Sequence, residues 1–193
     1  MIGLVIKILK LNKFDKSVSL LPINIFNMWW LYSMTYLIVN PCMFTFEYTQ
    51  GYRSHKKTTL CDFAYVLCTK EKLLKQQGFP IRNSLSHNES NILLQSTGIS
   101  DGIANARGKT LYECVVILLD LLRTPELTQV IIVEYDKFYS LLLNYQSNSI
   151  IFRQLINELN KAKVVNLDEK ELQKRTNIAI SDCLAIYKHI IKG

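Results

Sequence analysis

Three histidines occur in the 193 residues, His55, His87 and His189, and one of them stands in company suited to chemistry. His87 ends the run Phe79-Pro-Ile-Arg82-Asn83-Ser-Leu-Ser-His87, an Arg-x4-His spacing with Asn directly after the arginine. A histidine near neutral pKa moves the proton of a hydroxyl or of a leaving oxygen. A guanidinium stays charged and holds a phosphate while negative charge builds in a transition state. The two together suit cleavage of RNA by its own 2′-hydroxyl, with no metal required. The plainer alternative has Arg82 and Asn83 capping or pairing locally and His87 as an ordinary surface histidine. His55 lies in a basic connection. His189 lies near the end of the last expected helix, where a cation favours the helix dipole.

Ile81 and Leu85 give the run an apolar frame, which predicts a helix under it. Five residues apart on a helix, Arg82 and His87 differ by about 140° in azimuth and about 7.5 Å in rise. They would flank a groove, and two such helices across a two-fold axis would bring both pairs into one cleft. A homodimer packed through residues 79–90 is therefore expected.

The elements around that run read as helical. Hydrophobic residues make up 49% of the chain and charged ones 20%, which excludes a disordered tail. Seven glycines and four prolines are too few for a turn-rich β-sandwich, which needs a breaker roughly every 8–12 residues. A helix is expected from Asp62 to Gln77, closed by Gly78. Residues 90–109 read as an irregular loop or short hairpin, with Asn91–Gln95 as its strand-like stretch. Thr110 and Glu113 form a capping box opening a helix to Arg123. Thr124-Pro125 opens another to about Tyr145, although Val130–Val133 competes as a strand. Helices at about 149–163 and 168–191 complete an all-α bundle.

The first sixty residues carry seven Lys or Arg against Asp15 and Glu47, while the whole chain has a net charge of +7. Met1–Phe14 reads as amphipathic and lacks the cleavage site of a secretory signal. No charge occurs from residue 17 to 46, and Ile23–Val39 reads as either a buried core helix or a membrane-inserted one. Only 18 residues separate Pro22 from Pro41, against roughly 20 needed to span. Two domains are expected, an apolar and basic helical segment over 1–60 and a helical domain over 61–193. Location is cytoplasmic on the first reading and inner-membrane associated on the second, with membrane contact through 17–46.

Neither a cofactor nor a metal is expected. The five cysteines include no C-x-x-C pair and read as reduced core thiols. Gly102–Thr110 resembles a phosphate-binding loop, but five residues rather than four separate Gly102 from Gly108 and no strong strand precedes it.

IRNSLSHN, residues 81–88, resembles the Arg-polar-x3-His motif of the HEPN superfamily of helical, often dimeric, metal-independent ribonucleases. A polar, glycine-bearing stretch and a capped helix follow the histidine, as in many of its members, so the resemblance covers about residues 60–125. It implies catalytic roles for Arg82 and His87, with Asn83 as their polar neighbour. It further implies an endoribonuclease of prokaryotic defence, leaving 2′,3′-cyclic phosphate ends, with an RNA substrate and a cognate antitoxin or CRISPR effector as partner. A non-catalytic interaction module on the same bundle, or a membrane-associated CRISPR accessory protein, are the alternatives.

Overall fold

The computed structural model describes residues 34–50, 53–167 and 179–191. Strands β1 (Thr35–Gln50) and β2 (Arg53–Cys68) are each 16 residues long and pair antiparallel from end to end. Both are rich in β-branched and aromatic residues such as Ile38, Val39, Phe44, Phe63, Tyr65 and Val66, which fit a pleated, packed surface. β3 (Leu73–Pro80) adds antiparallel to β2. Three helices follow, α1 (His87–Thr97), α2 (Asp101–Arg107) and α3 (Leu111–Leu122). β4 (Leu127–Val133) then lies parallel to β1. Helices α4 (Tyr135–Tyr145) and α5 (Ile150–Lys161) lead to β5 (Val164–Leu167), parallel to β4. The last helix is α6 (Ala179–Ile186), continued by a π-helical turn, Tyr187–Ile191. The sheet order is β3-β2-β1-β4-β5, and residues 33–193 cluster as one unit.

Alternation along the strands divides the core in two. Leu37, Val39, Phe63, Tyr65, Val130 and Ile132 face α3, α4 and α5, meeting Leu118, Phe138 and Leu155. Tyr36, Ile38, Ala64, Val66, Ile131 and Val133 face the other way, against Cys183 and Ile186 of α6. Past a bulge at Cys42/Met43, β1 and β2 run on as a two-stranded ribbon. One face of that ribbon buries Phe46 and Cys61 against Leu93 of α1.

The expected all-α bundle is thus replaced by a mixed sheet with helices on both faces. Strands covered on both faces are continuously apolar, so a periodicity of two is hidden and the run passes for a buried helix. The helix expected over Asp62–Gln77 is the end of β2 and most of β3. Residues 48–50 and 53–59 of the basic connection are ribbon, and a domain break at residue 60 would fall inside β2. Residues 35–39 of the apolar helix belong to β1; its first eleven residues, the segment 1–14 and residues 168–178 lie outside the described residues. The helix expected over 124–145 divides into β4 and α4, so the competing strand at Val130–Val133 prevails. The irregular stretch 90–109 holds most of α1 and all of α2. The Thr110–Glu113 box and the helix at about 149–163 are borne out. Among the described residues no helix is long and apolar enough to cross a membrane.

Candidate functional site

Residues 82–86 are not helical, and α1 begins at His87 with Ser86 as its N-cap. The helix that was to carry Arg82 and His87 together is therefore not formed. Arg82 Nη2 lies 3.1 Å from Glu113 Oε2. That carboxylate also accepts the Thr110 amide at 2.7 Å and the Thr110 hydroxyl at 2.9 Å. The hydrogen bonds from Thr110, with Arg82 adding to them, hold the Glu113 carboxyl down to about 2. Asn83 Nδ2 donates to the Leu60 carbonyl at 2.6 Å, and its Oδ1 accepts from the Thr59 hydroxyl at 3.2 Å. His87 is exposed, with Nε2 3.2 Å from Asn91 Nδ2.

Each of the three residues thus has a different partner, and two of the partnerships pin an excursion to the body of the fold. Arg82 N donates to Lys109 O at 2.8 Å and Lys109 N to Pro80 O at 3.0 Å, so residues 82–108 leave and return at one point. Within 79–90, Phe79 and Pro80 end β3 and helix begins only at His87, so the single helix expected to carry both Arg82 and His87 to a two-fold interface is not formed. The HEPN endoribonuclease reading, with its toxin, antitoxin and CRISPR associations, is overturned by this mixed α/β fold.

A second polar group sits where α6 crosses β1 and β2. Asn40 and Asp182 are each 1% exposed, and Asn40 Nδ2 donates to Asp182 Oδ2 at 3.1 Å. Asp62 accepts the Phe63 amide at 2.9 Å through Oδ1 and the Ala179 amide at 3.1 Å through Oδ2. It thereby ties the first described turn of α6 to β2. Burial pushes the Asp62 carboxyl up, with Asp182 adding to the rise. Both Asp62 oxygens are occupied by backbone amides and Asn40 is neutral, so the trio docks a helix rather than moves protons. Among the described residues Asn40 Oδ1 finds no hydrogen-bond partner. Among the described residues no group of three or more His, Cys, Asp or Glu could hold a metal ion.

The third feature is a groove beyond the carboxyl end of β4, beside the ribbon into which β1 continues. In open α/β sheets ligands bind in the crevice where the strand order reverses, and here that point lies between these two strands. β1 carries on as the ribbon, while β4 ends at Val133 and Glu134 turns the chain at φ 50 and ψ 45 directly into α4. Glu134 gives α4 no side-chain cap. Asn166 of β5 supplies one, accepting the Tyr135 amide at 2.9 Å and donating to Asp136 Oδ2 at 2.9 Å. Between ribbon and helix is a space of about 450 Å³, lined by Lys56 and Thr58 on one side and Asp136, Lys137, Ser140 and Asn144 on the other.

Both lysines of the groove are well exposed, Lys56 at 67% and Lys137 at 63% of the side chain. Lys56 Nζ lies 2.6 Å from Glu47 Oε1, and that carboxylate pushes its ammonium up. Lys137 pairs with Glu134. Lys56–Glu47 is exposed on both sides and contributes little to stability, whereas in Lys137–Glu134 the carboxylate is buried and only the lysine reaches solvent. On the ribbon's opposite face Tyr48 stacks on His55, with ring centroids 5.7 Å apart and planes at 20°.

Sequence reasoning passed over the groove residues because strand and helix are brought together only by the sheet. A weak signal existed for the docking trio. Asp62 is the lone charge in a nine-residue apolar run from Leu60 to Cys68, and Asp182 the lone charge between Thr176 and Tyr187.

No protein-family profile and no curated protein sequence matches this chain. Among solved structures, a full-length 3′-exonuclease resembles it over 81% of this chain and 80% of its own, at 13% identity and a TM-score of 0.46. A 3′-exonuclease described in 3′-end-specific recognition of histone mRNA stem-loop covers the same shares at 12% identity and a TM-score of 0.47. Exonuclease I matches 70% of this chain and 28% of its own, at 14% identity and a TM-score of 0.43. Likenesses at this level assign no activity to this chain.

Proposed function

We propose that this protein binds single-stranded RNA in the groove between the β1–β2 ribbon and α4. The observation that carries the reading is the groove, at the point where the strand order reverses, with an exposed lysine on each wall. Lys56 and Lys137 supply the charge that backbone phosphates need, and a net charge of +7 favours the encounter. Thr58, Ser140 and Asn144 line the same space and offer both donors and acceptors to ribose 2′-hydroxyls.

The reading is tested by fluorescence anisotropy of a labelled 12-nucleotide RNA against the wild type and the Lys56→Ala/Lys137→Ala variant. Each phosphate contact to a single strand contributes about 0.7 to the slope of log affinity against log salt. We expect the double variant to lose about 1.4 from that slope and to bind at least tenfold more weakly at low salt. Glu47→Gln, which removes the carboxylate held by Lys56, should bind more tightly. Equal affinity and equal slope for wild type and double variant would sink the reading.

A further inference from the structure

Cys42 and Cys61 meet at the bulge where β1 and β2 leave the sheet and become the ribbon. The register passes from Cys42↔Asp62 to Met43↔Leu60, so Cys61 is the extra residue of the bulge. Cys61 Sγ lies 3.7 Å from Cys42 Sγ and donates to the Cys42 carbonyl at 3.1 Å. The remaining thiols sit elsewhere in the core: Cys68 donates to Tyr36 O, Cys183 to Ala64 O, and Cys114 is buried in α3.

Two sulfurs at this distance must approach by about 1.7 Å to reach a bond of about 2.05 Å. A bulge is where that movement is easiest, because the ladder of hydrogen bonds is already interrupted there. Access to the two thiols differs. Cys42 is half-buried, within reach of a small reagent, whereas Cys61 is 1% exposed. The hydrogen bond to Cys42, together with burial, pushes the Cys61 thiol up.

We propose that Cys42 and Cys61 form a modification site that closes to a reversible cross-strand disulfide by exchange with a low-molecular-weight disulfide such as oxidised glutathione. The Cys42 thiolate attacks one sulfur of the small disulfide, forming a mixed disulfide and expelling one small thiolate. Cys61 then attacks the Cys42 sulfur, its proton passing to the second small thiolate as that leaves. Two protein thiols are oxidised, one small disulfide is reduced to two thiols, and no other oxidant takes part. The bond ties the ribbon at its root, and the site stands whether or not RNA binds in the groove.

The full chain is incubated with excess oxidised glutathione, quenched, alkylated in denaturant and digested with trypsin without reductant. Trypsin cuts at Arg53, Lys56 and Lys57, between the two cysteines. We expect Ser17–Arg53 linked to Thr58–Lys70, with the product lost on adding dithiothreitol and fragment spectra placing the bond at Cys61. Because Thr58–Lys70 also holds Cys68, the Cys68→Ala variant should retain the link. Cys61→Ser should lose it and accumulate glutathione on Cys42. Full alkylation of both cysteines in the wild type, a stable glutathione adduct on Cys42 without closure, or a bond at Cys68 would each overturn the proposal.

Discussion

Three donors converge on one carboxylate at the start of α3: the Thr110 amide, the Thr110 hydroxyl and the Arg82 guanidinium, all on Glu113 Oε2. A carboxyl held at about 2 against an ordinary 4.5 favours the folded state whenever it is ionised in both states. That contribution is complete above the ordinary value and disappears as pH falls from about 4.5 to about 2. Because the cap outweighs the guanidinium, Arg82→Ala should raise the Glu113 pKa only part of the way, leaving it well below 4.5 in a carboxyl NMR titration. A return to the ordinary range would place Arg82 ahead of Thr110. Asp62 behaves oppositely: burial raises its pKa, so its ionisation opposes folding as pH climbs past its unfolded value. The Arg-x4-His spacing was plain in the sequence, but the partners of those residues were not. Glu113 lies 31 positions from Arg82, and only the fold places it there.

Element boundaries set by neighbouring residues were legible, and those set by distant packing were not. Thr110 and Glu113 lie within one turn, so their reciprocal bonds follow from the local chain. The same signature stands at Ser86 and Glu89, where a full capping box opens α1; the reading that placed Arg82 and His87 on one helix hid it. Gly78 illustrates the opposite case. It reads as a helix stop, yet it lies in β3 beneath α6, where an added Cβ would meet the Ile180 Cβ at 2.9 Å and the Ala64 Cβ at 3.5 Å. No local pattern announces that approach. Gly78→Ala should cost about 1–3 kcal/mol in a urea titration, the usual penalty of overpacking. An unchanged midpoint would mean that α6 is free to shift away from the sheet.

At the scale of the whole molecule, one strand organises both faces and both ends. β1 is antiparallel to β2 and parallel to β4, so its second half, past the pairing with β4, runs out with β2 as a ribbon while α4 turns back beside it. The groove follows from that divergence, and its lysines come from elements about eighty residues apart in sequence. This separation is why the net charge of the chain marks no one place along it. The most direct measurement is a series of backbone amide NMR spectra recorded as a short oligouridine is added. We expect shifts concentrated at residues 45–47, 56–58 and 136–144, the two walls of the groove. Shifts confined to α1, α2 or the outer strand β3, with the groove residues unmoved, would contradict the account.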